Sequence, residues 1–584
     1  MIGKEGVCMA VPALFAAFSF FFYAPCALYF PNAEQFVFTF ADIWWILLGC
    51  FLLSAGVFYG IGRMLKKGRS VWSALLFAFG LSVILQGSFL FEDLGTFNGL
   101  PYEWRNSLLQ IIRDAAVWLL IAAVCVIAAL RGKEKSGRIF SALSFLGLAF
   151  LAVTSGVLML SSKNEYLQKG EFFVSDRDLF TVSQKENAIV LVLDMFDSSY
   201  MESVVARDPD LIAELDGFTW FSNTTSNFGS TGYTIGSLLS GSLMLNQQPS
   251  FSETLNANAA SDRFFPMLLE EGWSLGIYTE GKFIPDSLAL ATDNCLNERA
   301  GIVDLPAFCR AIYRMAACRY LPDALRPLMW LRGTEFDGLY GVKNSPYRAY
   351  TIDTMPFYEK LQQGALKSVD QPCFRLIHLF GAHYPYTMDE NFLPIQPSWS
   401  DENAVGAAKA SLKVAIRFLE EMKALGVFNG SLILIMGDHG YSVDGALTNP
   451  LLLIKRPGET HAFETSCVPA CFSDLRVTML TALSLPAENI SGEDIYSLTE
   501  GQAHERLYYQ MYDGASNGQS RLVEYSVAPE GNARKNFSLT DREISPTGEI
   551  SKHSETCEYC LANGTDPVDA PNSASILHER TKTK

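Results

Sequence analysis

The chain has 584 residues, of which 49% are hydrophobic, and its 62 acidic and 45 basic side chains give a formal net charge of −17. No basic stripe interrupts this acidic balance, which excludes nucleic-acid binding as the main role because phosphate contacts need clustered lysine and arginine. After about residue 160 the composition changes from Phe, Leu, Ala and Val to an ordinary globular mixture that carries most of the acidic residues, which predicts at least two domains.

Five apolar segments lie before this change, and each is long enough to cross a bilayer, which takes about 20 mostly apolar residues. They lie near 8–30, 38–61, 71–91, 112–130 and 139–161. The fourth begins at Arg113 and Asp114, which must lie at the membrane interface or pair inside the bundle. We therefore predict a five-span transmembrane domain over 1–162.

Loop charges predict the orientation of these spans. The basic residues cluster in two loops: Arg63, Lys66, Lys67 and Arg69 between spans two and three, and Arg131, Lys133, Lys135 and Arg138 between spans four and five. By the positive-inside rule both loops and the amino terminus are cytoplasmic. Five crossings then place everything after Ser162 outside the cytoplasm, which suits a protein of the plasma (inner) membrane.

The remaining chain predicts an α/β domain. After a polar linker over 163–186, the continuous apolar run at 187–193 is typical of a strand buried on both faces of a parallel sheet. The segments 373–379 and 431–436 look like further strands of the same sheet. A helix with an apolar stripe at 407–425 separates two of them, so we expect helices on both faces of a sheet over 187–500. Two short strands within 501–545 predict a small β subdomain, and the polar residues 546–584 predict a disordered tail.

Candidate ligands follow two of these strands. Asp194 ends the first run, and Asp438-His439 follows the run at 431–436. Thr231 lies in a small-residue stretch, 230–241, that reads as a turn opening a helix. Ligands bind at the carboxyl ends of strands in such sheets. Two carboxylates, one imidazole and one hydroxyl suit a divalent cation that activates the hydroxyl as a nucleophile.

Structural roles are open for the same residue types. Asp197 is expected to cap the next helix, although it is an alternative ligand to Asp194. Thr231 could itself be a helix cap, and the adjacent Ser230 is an alternative nucleophile. His383 could be a structural histidine, and His378 is expected to point into the sheet.

The order of Asp194, the turn, Gly381-Ala-His383-Tyr-Pro and Asp438-His439-Gly440 resembles the sulfatase-like branch of the alkaline phosphatase superfamily over about 187–485. Five helices followed by such a domain resemble lipoteichoic acid synthases and related phosphoglycerol and phosphoethanolamine transferases. The resemblance implies a sulfatase-like α/β sandwich. It also implies one divalent ion (Mn, Mg or Zn) held by Asp194, Thr231, Asp438 and His439, with Thr231 as nucleophile and His383 contacting the substrate phosphate or sulfate.

The residue at the nucleophile position separates the subclasses of this family. Sulfatases begin a Cys/Ser-x-Pro-Ser-Arg motif there, whereas Thr231 is followed by Gly-Tyr-Thr-Ile, and threonine cannot be oxidised to formylglycine. The resemblance therefore implies transfer of a phospholipid head group onto a cell-envelope glycan or lipid through a phosphothreonine. Two alternatives are a hydrolase of phosphate or sulfuric esters and a non-catalytic membrane sensor or scaffold.

Reporter fusions test the predicted topology. A reporter enzyme that is active only outside the cytoplasm is expected to be inactive when fused after Lys67 and active when fused after Ser162, because an odd number of crossings separates the two positions. A reporter that fluoresces only in the cytoplasm serves as control and should give the opposite pattern. Activity of the first reporter after Lys67 would contradict the orientation.

Overall fold

The computed structural model describes residues 4–65, 68–90, 108–162, 172–245, 250–331, 333–336, 338–395, 398–440, 449–513, 520–531, 536–545 and 549–552. The chain forms two compact units. The first holds Met1–Glu171 and Glu298–Ala349, and the second holds Phe172–Asn297 and Tyr350–Lys584. Residues 298–349, expected inside the catalytic domain 187–500, therefore group with the apolar helices instead.

The first unit contains, among its described residues, five helices that are long and apolar enough to cross a membrane. Their bounds are Met9–Ala33, Phe40–Met64, Arg69–Leu90, Leu108–Gly132 and Lys135–Leu160. They match the five predicted segments in number and position. The α-helical residues of this region are Lys4–Phe18, Ala24–Tyr29, Phe40–Met64, Arg69–Leu85 and Leu108–Leu160, with π-helical turns at Ser19–Tyr23 and Gln86–Leu90.

The last two candidate spans lie in one helical run of 53 residues, Leu108–Leu160. Ser136 Oγ donates to the Ala129 carbonyl at 3.5 Å, although seven residues of straight helix rise about 10 Å. The run therefore bends between these two residues. Phe140, beyond the bend, packs its ring 5.5 Å from that of Phe77 in the third span.

The charged residues at the start of the fourth span pair inside the helix bundle, which was one of the two predicted possibilities. Arg113 Nε lies 3.0 Å from Asp114 Oδ1, and Gln86 Nε2 donates to Asp114 Oδ2 at 2.7 Å. Trp118 Nε1 in turn donates to Gln86 Oε1 at 3.0 Å. Asp114 is fully buried, so these partners offset the cost of a carboxylate among apolar helices.

The described part of residues 298–349 adds two α-helices and a short two-stranded antiparallel sheet to the first unit. The helices are Leu305–Tyr320 and Arg326–Met329, and the paired strands are Ala300–Ile302 and Tyr340–Val342. Tyr340 Oη donates to Asp42 Oδ2 at 3.2 Å, and Arg319 Nε donates to the Gly87 carbonyl at 3.4 Å. Asp42 begins the second span and Gly87 lies near the end of the third. Such contacts across about 250 residues leave no local pattern, which is why the sequence predicted the wrong grouping.

The strands in chain order are β1 Phe173–Val174, β2 Thr181–Ser183, β3 Asn187–Leu193, β4 Thr219–Phe221, β5 Thr224–Thr225, β6 Ser274–Tyr278, β7 Cys295–Leu296, β8 Ala300–Ile302, β9 Tyr340–Val342, β10 Lys367–Val369, β11 Cys373–Leu379, β12 Ser431–Met436, β13 Leu452–Lys455, β14 Glu464–Ser466, β15 Ala470–Cys471, β16 Leu507–Asp513, β17 Ser520–Val527, β18 Phe537–Ile544 and β19 Ile550–Lys552. The large sheet of the second unit has the order β14-β4-β13-β12-β3-β11-β6. Its strands β12, β3, β11 and β6 run parallel. The predicted α/β class is confirmed.

The helices of the second unit are Ser198–Arg207, Pro209–Ala213, Thr231–Ser240, Phe251–Ala259, Phe264–Glu270, Asp286–Ala291, Thr354–Gln362, Asp401–Ala424 and Leu475–Ala482. The central strand β3 is buried along all seven residues, as its unbroken apolar sequence predicts. The helix predicted at 407–425 begins earlier, at Asp401, because the Ser400 side chain accepts a hydrogen bond from the Asn403 amide at 3.1 Å and caps it.

Both ends of the second unit differ from the predicted boundaries. The linker expected over 163–186 contains β1 and β2, which pair with β7 and β10, so the folded unit already includes Phe173; residues 163–171 lie outside the described part. The subdomain expected over 501–545 is an antiparallel sheet of β16, β17, β18 and β19 that continues to Lys552. The tail expected to be disordered lies outside the described residues from 553 onwards.

A buried ion pair fixes the helix Thr231–Ser240 within the second unit. Arg476 donates to the Asp262 carboxylate, and its Nε donates to the Leu238 carbonyl at 3.0 Å. The two charged side chains are only 8% and 7% exposed. Leu238 lies in the last turn of the helix, where carbonyls lack partners within the helix, so Arg476 caps this end.

Removing one partner of this pair tests its contribution. Arg476→Met is expected to lower the free energy of unfolding by about 3 kcal/mol, because it leaves the Asp262 charge buried and unpaired. Lys367→Met removes an ion pair whose lysine is 66% exposed and should change it by less than about 1 kcal/mol. Denaturant unfolding of the purified full chain measures both; equal stabilities of the two variants would contradict the assignment.

Candidate metal centre

The carboxyl ends of neighbouring parallel strands meet at one edge of the large sheet. β3 ends at Leu193 and is followed directly by Asp194, and β12 ends at Met436, two residues before Asp438. β3 lies between β11 and β12 and pairs in parallel with both. Side chains that follow these strands are therefore brought together by backbone hydrogen bonding alone.

Asp194, His378 and Asp438 form a buried group at this edge. One ligand atom from each lies within 4.8 Å of the other two, and the residues are 5%, 1% and 0% exposed. Carboxylate oxygens and imidazole nitrogens are ligands of divalent metals such as zinc and manganese. The group has the composition and the spacing of a site for a single divalent ion.

Asp194 Oδ1 and Asp438 Oδ2 accept no hydrogen bond within the described residues, and His378 Nε2 has only the Asp194 carboxylate near it, with Oδ2 3.4 Å away. A buried polar atom without a partner costs about 1–3 kcal/mol, and more when it is charged. A cation among the three would contact all of them at once. The residues present therefore fit a bound metal ion.

The electrostatics of the two carboxylates are linked. Burial, and then repulsion by Asp438, raise the pKa of Asp194. Burial acts to raise the pKa of Asp438 as well, but the neighbouring His439 and His378 outweigh it and the pKa is lowered. The Met195 amide, which donates to Asp438 Oδ1 at 2.8 Å, acts in the same direction. Because the buried group disfavours two ionised carboxylates side by side, a cation between Asp194 and Asp438 would be favourable.

His439 lies beside the group, as expected from its place after Asp438. Its Nε2 is 3.5 Å from Asp438 Oδ2, and its Nδ1 is 3.1 Å from the Gly440 carbonyl. Nδ1–H donating to that carbonyl leaves the lone pair on Nε2, which is the ligating tautomer. Burial acts to lower the pKa of His439, but Asp438 and then Asp194 raise it overall.

Gly440 completes the Asp-His-Gly sequence for a steric reason. A Cβ at this position would lie 2.3 Å from Asp197 Oδ2 and 2.6 Å from the Asn449 amide nitrogen. Any other residue would push these groups apart.

Thr231 is the first residue of the helix Thr231–Ser240, and the preceding Ser230 is extended and makes no side-chain cap. Burial raises the pKa of Asp438, whereas the neighbouring histidines and a hydrogen bond from the Thr231 hydroxyl lower it. The Thr231 hydroxyl therefore faces the buried group. The first amides of the helix carry the positive end of its dipole, which favours an anion beside Thr231.

The turn before Thr231 is held by long-range contacts. Asn227 Nδ2 donates to the Leu507 carbonyl at 2.9 Å, and Asn227 Oδ1 accepts from Ser473 Oγ at 3.1 Å. The ring of Phe228 stacks on Tyr509 with centroids 5.5 Å apart. The C-terminal sheet thus fixes the segment that presents Thr231.

His383 lies on the same edge, in the loop after β11. Gly381 turns this loop with a φ of +61°, and a Cβ there would lie 2.3 Å from the Asp194 amide nitrogen, so the loop passes directly over Asp194. The Ala382 amide donates to the Asp194 carbonyl at 2.8 Å. His383 is half-buried and acts to lower the pKa of Asp194 against burial. The structure therefore brings all five predicted site residues to one edge: Asp194, Thr231, His383, Asp438 and His439.

His378 is the residue that the sequence missed, because it was expected to point into the sheet. It lies in β11 opposite Val192 of β3, two residues before Asp194, and its Nε2 is 3.4 Å from Asp194 Oδ2. Burial acts to lower the pKa of His378, but the contact with Asp194 raises it overall. An imidazole in a fully buried strand, near the strand end that carries the site, was the available signal.

Asp197, the alternative ligand, caps a helix instead. Its Oδ1 accepts hydrogen bonds from the Ser199 amide at 2.9 Å and from the Ser199 hydroxyl at 2.7 Å. These contacts start the helix Ser198–Arg207.

Carboxamide substitutions distinguish ligand from cap. Asp194→Asn and Asp438→Asn should each abolish retention of a divalent ion, because the charge that holds the cation is removed. Asp197→Asn should keep the ion, since asparagine also caps helices. Elemental analysis of the purified chain after dialysis measures the metal content. Full retention by both Asp194→Asn and Asp438→Asn would refute the centre.

No protein-family model matches the sequence, and a search of curated proteins gives no match.

Solved structures give matches at low identity. The lipoteichoic acid synthase LtaP from Listeria monocytogenes is 12% identical over 64% of this chain and 88% of its own, with a TM-score of 0.35. A 2-O GAG sulfatase is 11% identical over 68% and 91%, with a TM-score of 0.36. A protein in the alkaline phosphatase superfamily from Vibrio parahaemolyticus is 12% identical over 67% and 86%, with a TM-score of 0.34. These are the kinds of protein that the sequence motifs resemble.

Proposed function

We propose that the chain is a membrane-anchored, metal-dependent phosphotransferase of the sulfatase-like kind. It moves a phospholipid head group, phosphoglycerol or phosphoethanolamine, onto a glycan or lipid acceptor of the cell envelope. The observation that carries this proposal is the contact of the Thr231 hydroxyl with Asp438, which is buried in one group with Asp194 and His378. Both carboxylates keep an oxygen without a hydrogen-bond partner among the described residues, as a bound cation would require.

The proposed ligands of one divalent ion (Mn, Mg or Zn) are Asp194, Thr231, Asp438 and His439. Such an ion, when bound, lowers the pKa of a coordinated hydroxyl and neutralises charge on phosphoryl oxygens. The amino-terminal amides of the helix Thr231–Ser240 hold the phosphoryl group of the donor in line with Thr231 Oγ. His383, half-buried on the same edge, contacts that phosphate.

Transfer takes two balanced steps. In the first, Thr231 Oγ gives up its proton and bonds to the phosphorus, the bond from phosphorus to the diacylglycerol oxygen breaks, and that oxygen takes up a proton. In the second, an acceptor hydroxyl loses its proton and bonds to the phosphorus of the phosphothreonine. The bond from phosphorus to Thr231 Oγ breaks, and Thr231 Oγ takes up a proton to become a hydroxyl again. A covalent intermediate of this kind divides one difficult displacement into two easier ones.

The membrane helices suit this reaction because donor and enzyme then share one surface, which raises the effective concentration of the lipid. The proposed orientation has a cytoplasmic amino terminus and an extracytoplasmic catalytic unit. It is supported by residues 298–349, which follow the fifth span and contact Asp42 and Gly87. Both lie at the span ends away from the basic loop between spans two and three.

The same residues also suit a hydrolase, in which water replaces the acceptor and the substrate is a phosphate or sulfate ester. The threonine at the nucleophile position favours transfer over sulfatase chemistry, which needs an oxidisable Cys or Ser. A non-catalytic sensor or scaffold has no use for a buried acidic pair beside a hydroxyl.

Mass spectrometry of the nucleophile peptide tests the proposal. The full chain, incubated with phosphatidylglycerol or phosphatidylethanolamine vesicles and Mn²⁺, should acquire a phosphoglycerol or phosphoethanolamine adduct on Thr231 and release diacylglycerol. Thr231→Ala should lose the adduct and several orders of magnitude in turnover, as expected for a covalent nucleophile. The matched control Ser230→Ala should keep both.

The other outcomes separate the alternatives. Turnover of a phosphate or sulfate ester without an adduct on Thr231 would point to the hydrolase. A chain that binds no divalent ion and turns over none of these substrates would point to the scaffold and would overturn the proposed function.

A further inference from the structure

We infer that His378 is a ligand of the metal ion at this site, and that Thr279 is the positioning residue that holds its imidazole in the ligating tautomer. This rests on the proposed function, because it concerns the same ion. It adds a second imidazole to the proposed ligands Asp194, Thr231, Asp438 and His439, and this addition indicates which class of metal the site prefers.

The first observation is that His378 Nε2 faces the two carboxylates. This atom is buried and, among the described residues, has no close polar partner except the carboxylate of Asp194, whose Oδ2 lies 3.4 Å away. Metal–ligand bonds to nitrogen and carboxylate oxygen are about 2.0–2.2 Å long, so two ligands of one ion lie roughly 3 to 4.5 Å apart. The mutual spacing of up to 4.8 Å within the group of Asp194, His378 and Asp438 approaches this without rearrangement of the strands.

The second observation is the hydrogen bond on the other side of the ring. Thr279 follows β6, and its Oγ1 lies 3.0 Å from His378 Nδ1. When Nδ1–H donates to this hydroxyl, the lone pair is on Nε2 and faces the two carboxylates. Metal-binding histidines usually have such a partner on the second nitrogen.

The backbone makes this arrangement rigid. β6 and β11 pair in parallel with Tyr278 opposite Ile377, so Thr279 and His378 are neighbours across the sheet. The Tyr350 hydroxyl donates to the His378 carbonyl, which also fixes the backbone at this residue. Because contacts from the neighbouring strand already fix the imidazole, it loses little conformational freedom when it binds an ion.

Two imidazoles change the expected metal. Magnesium prefers an octahedron of oxygen ligands and retains water, whereas imidazole nitrogen suits zinc and other transition metals. With His378 and His439 both directed at the group, the site should select Zn²⁺ or Mn²⁺ over Mg²⁺, and Zn²⁺ over Mn²⁺ in affinity.

Metal affinities of the full chain in detergent test this inference. The chain is stripped with a chelator and titrated with Zn²⁺, Mn²⁺ or Mg²⁺ against a metal indicator, and Co²⁺ binding is followed by visible absorption. His378→Ala should weaken Zn²⁺ binding by more than the roughly 10- to 100-fold that loss of an outer hydrogen-bond partner costs, and should change the Co²⁺ spectrum. Thr279→Val should weaken binding by about tenfold with little spectral change, and Thr279→Ser should restore it.

The matched control is His383→Ala, which removes an imidazole from the same edge and should leave Zn²⁺ affinity within about threefold. Thermal unfolding shows whether the metal-free His378→Ala chain is folded. If it is not, the comparison of Thr279→Val with Thr279→Ser tests the inference instead. Unchanged Zn²⁺ affinity and Co²⁺ spectrum in His378→Ala would overturn the role of His378 while leaving the proposed function intact. A wild-type chain that binds no cation would instead overturn the proposed function itself.

Discussion

Two carboxylates buried beside each other are the constraint on which the second unit depends. Asp194 and Asp438 follow adjacent parallel strands, so the hydrogen bonding of the sheet sets their separation and leaves no freedom to turn both towards water. Burying one uncompensated charge costs several kcal/mol, and a second one nearby costs more. The Met195 amide and the flanking histidines compensate part of this cost. Oxygens on both carboxylates still lack partners among the described residues, and a bound cation would complete the arrangement.

The Thr231 hydroxyl reaches this centre from a different direction. Thr231 is not on a strand of the sheet, and its position is set at the two ends of its helix. Before it, Asn227 bonds to the carbonyl of Leu507 at the start of β16. After it, Arg476 caps the last turn of the helix. The C-terminal strands lie beyond the region that resembles known transferases, yet they hold the turn on which the proposed chemistry depends. These strands therefore help to position the site as well as to stabilise the fold.

The chain passes between its two units three times. It enters the second unit near β1, leaves it after β7 and returns at Tyr350. β1 pairs with β7, and the Tyr350 amide donates to the Val174 carbonyl at 2.9 Å, so the three passages lie together in the second unit. Residues 298–349 thus interrupt the sequence of the second unit without disturbing its sheet. Within the first unit they contact the ends of the second and third spans, which keeps a segment far along the sequence with the membrane helices.

The sequence alone determined what depends on local pattern. Uninterrupted apolar length identified the five spans, and the apolar run at 187–193 identified the central strand and hence Asp194 at its end. The spacing of Asp438 and His439 after a similar run located the other half of the centre. Only the tertiary structure decided which way His378 points, which unit residues 298–349 join and what holds the turn before Thr231. Each of these depends on partners a hundred or more residues away, and contacts of that kind leave no periodicity or composition along the chain for a reader of the sequence to detect.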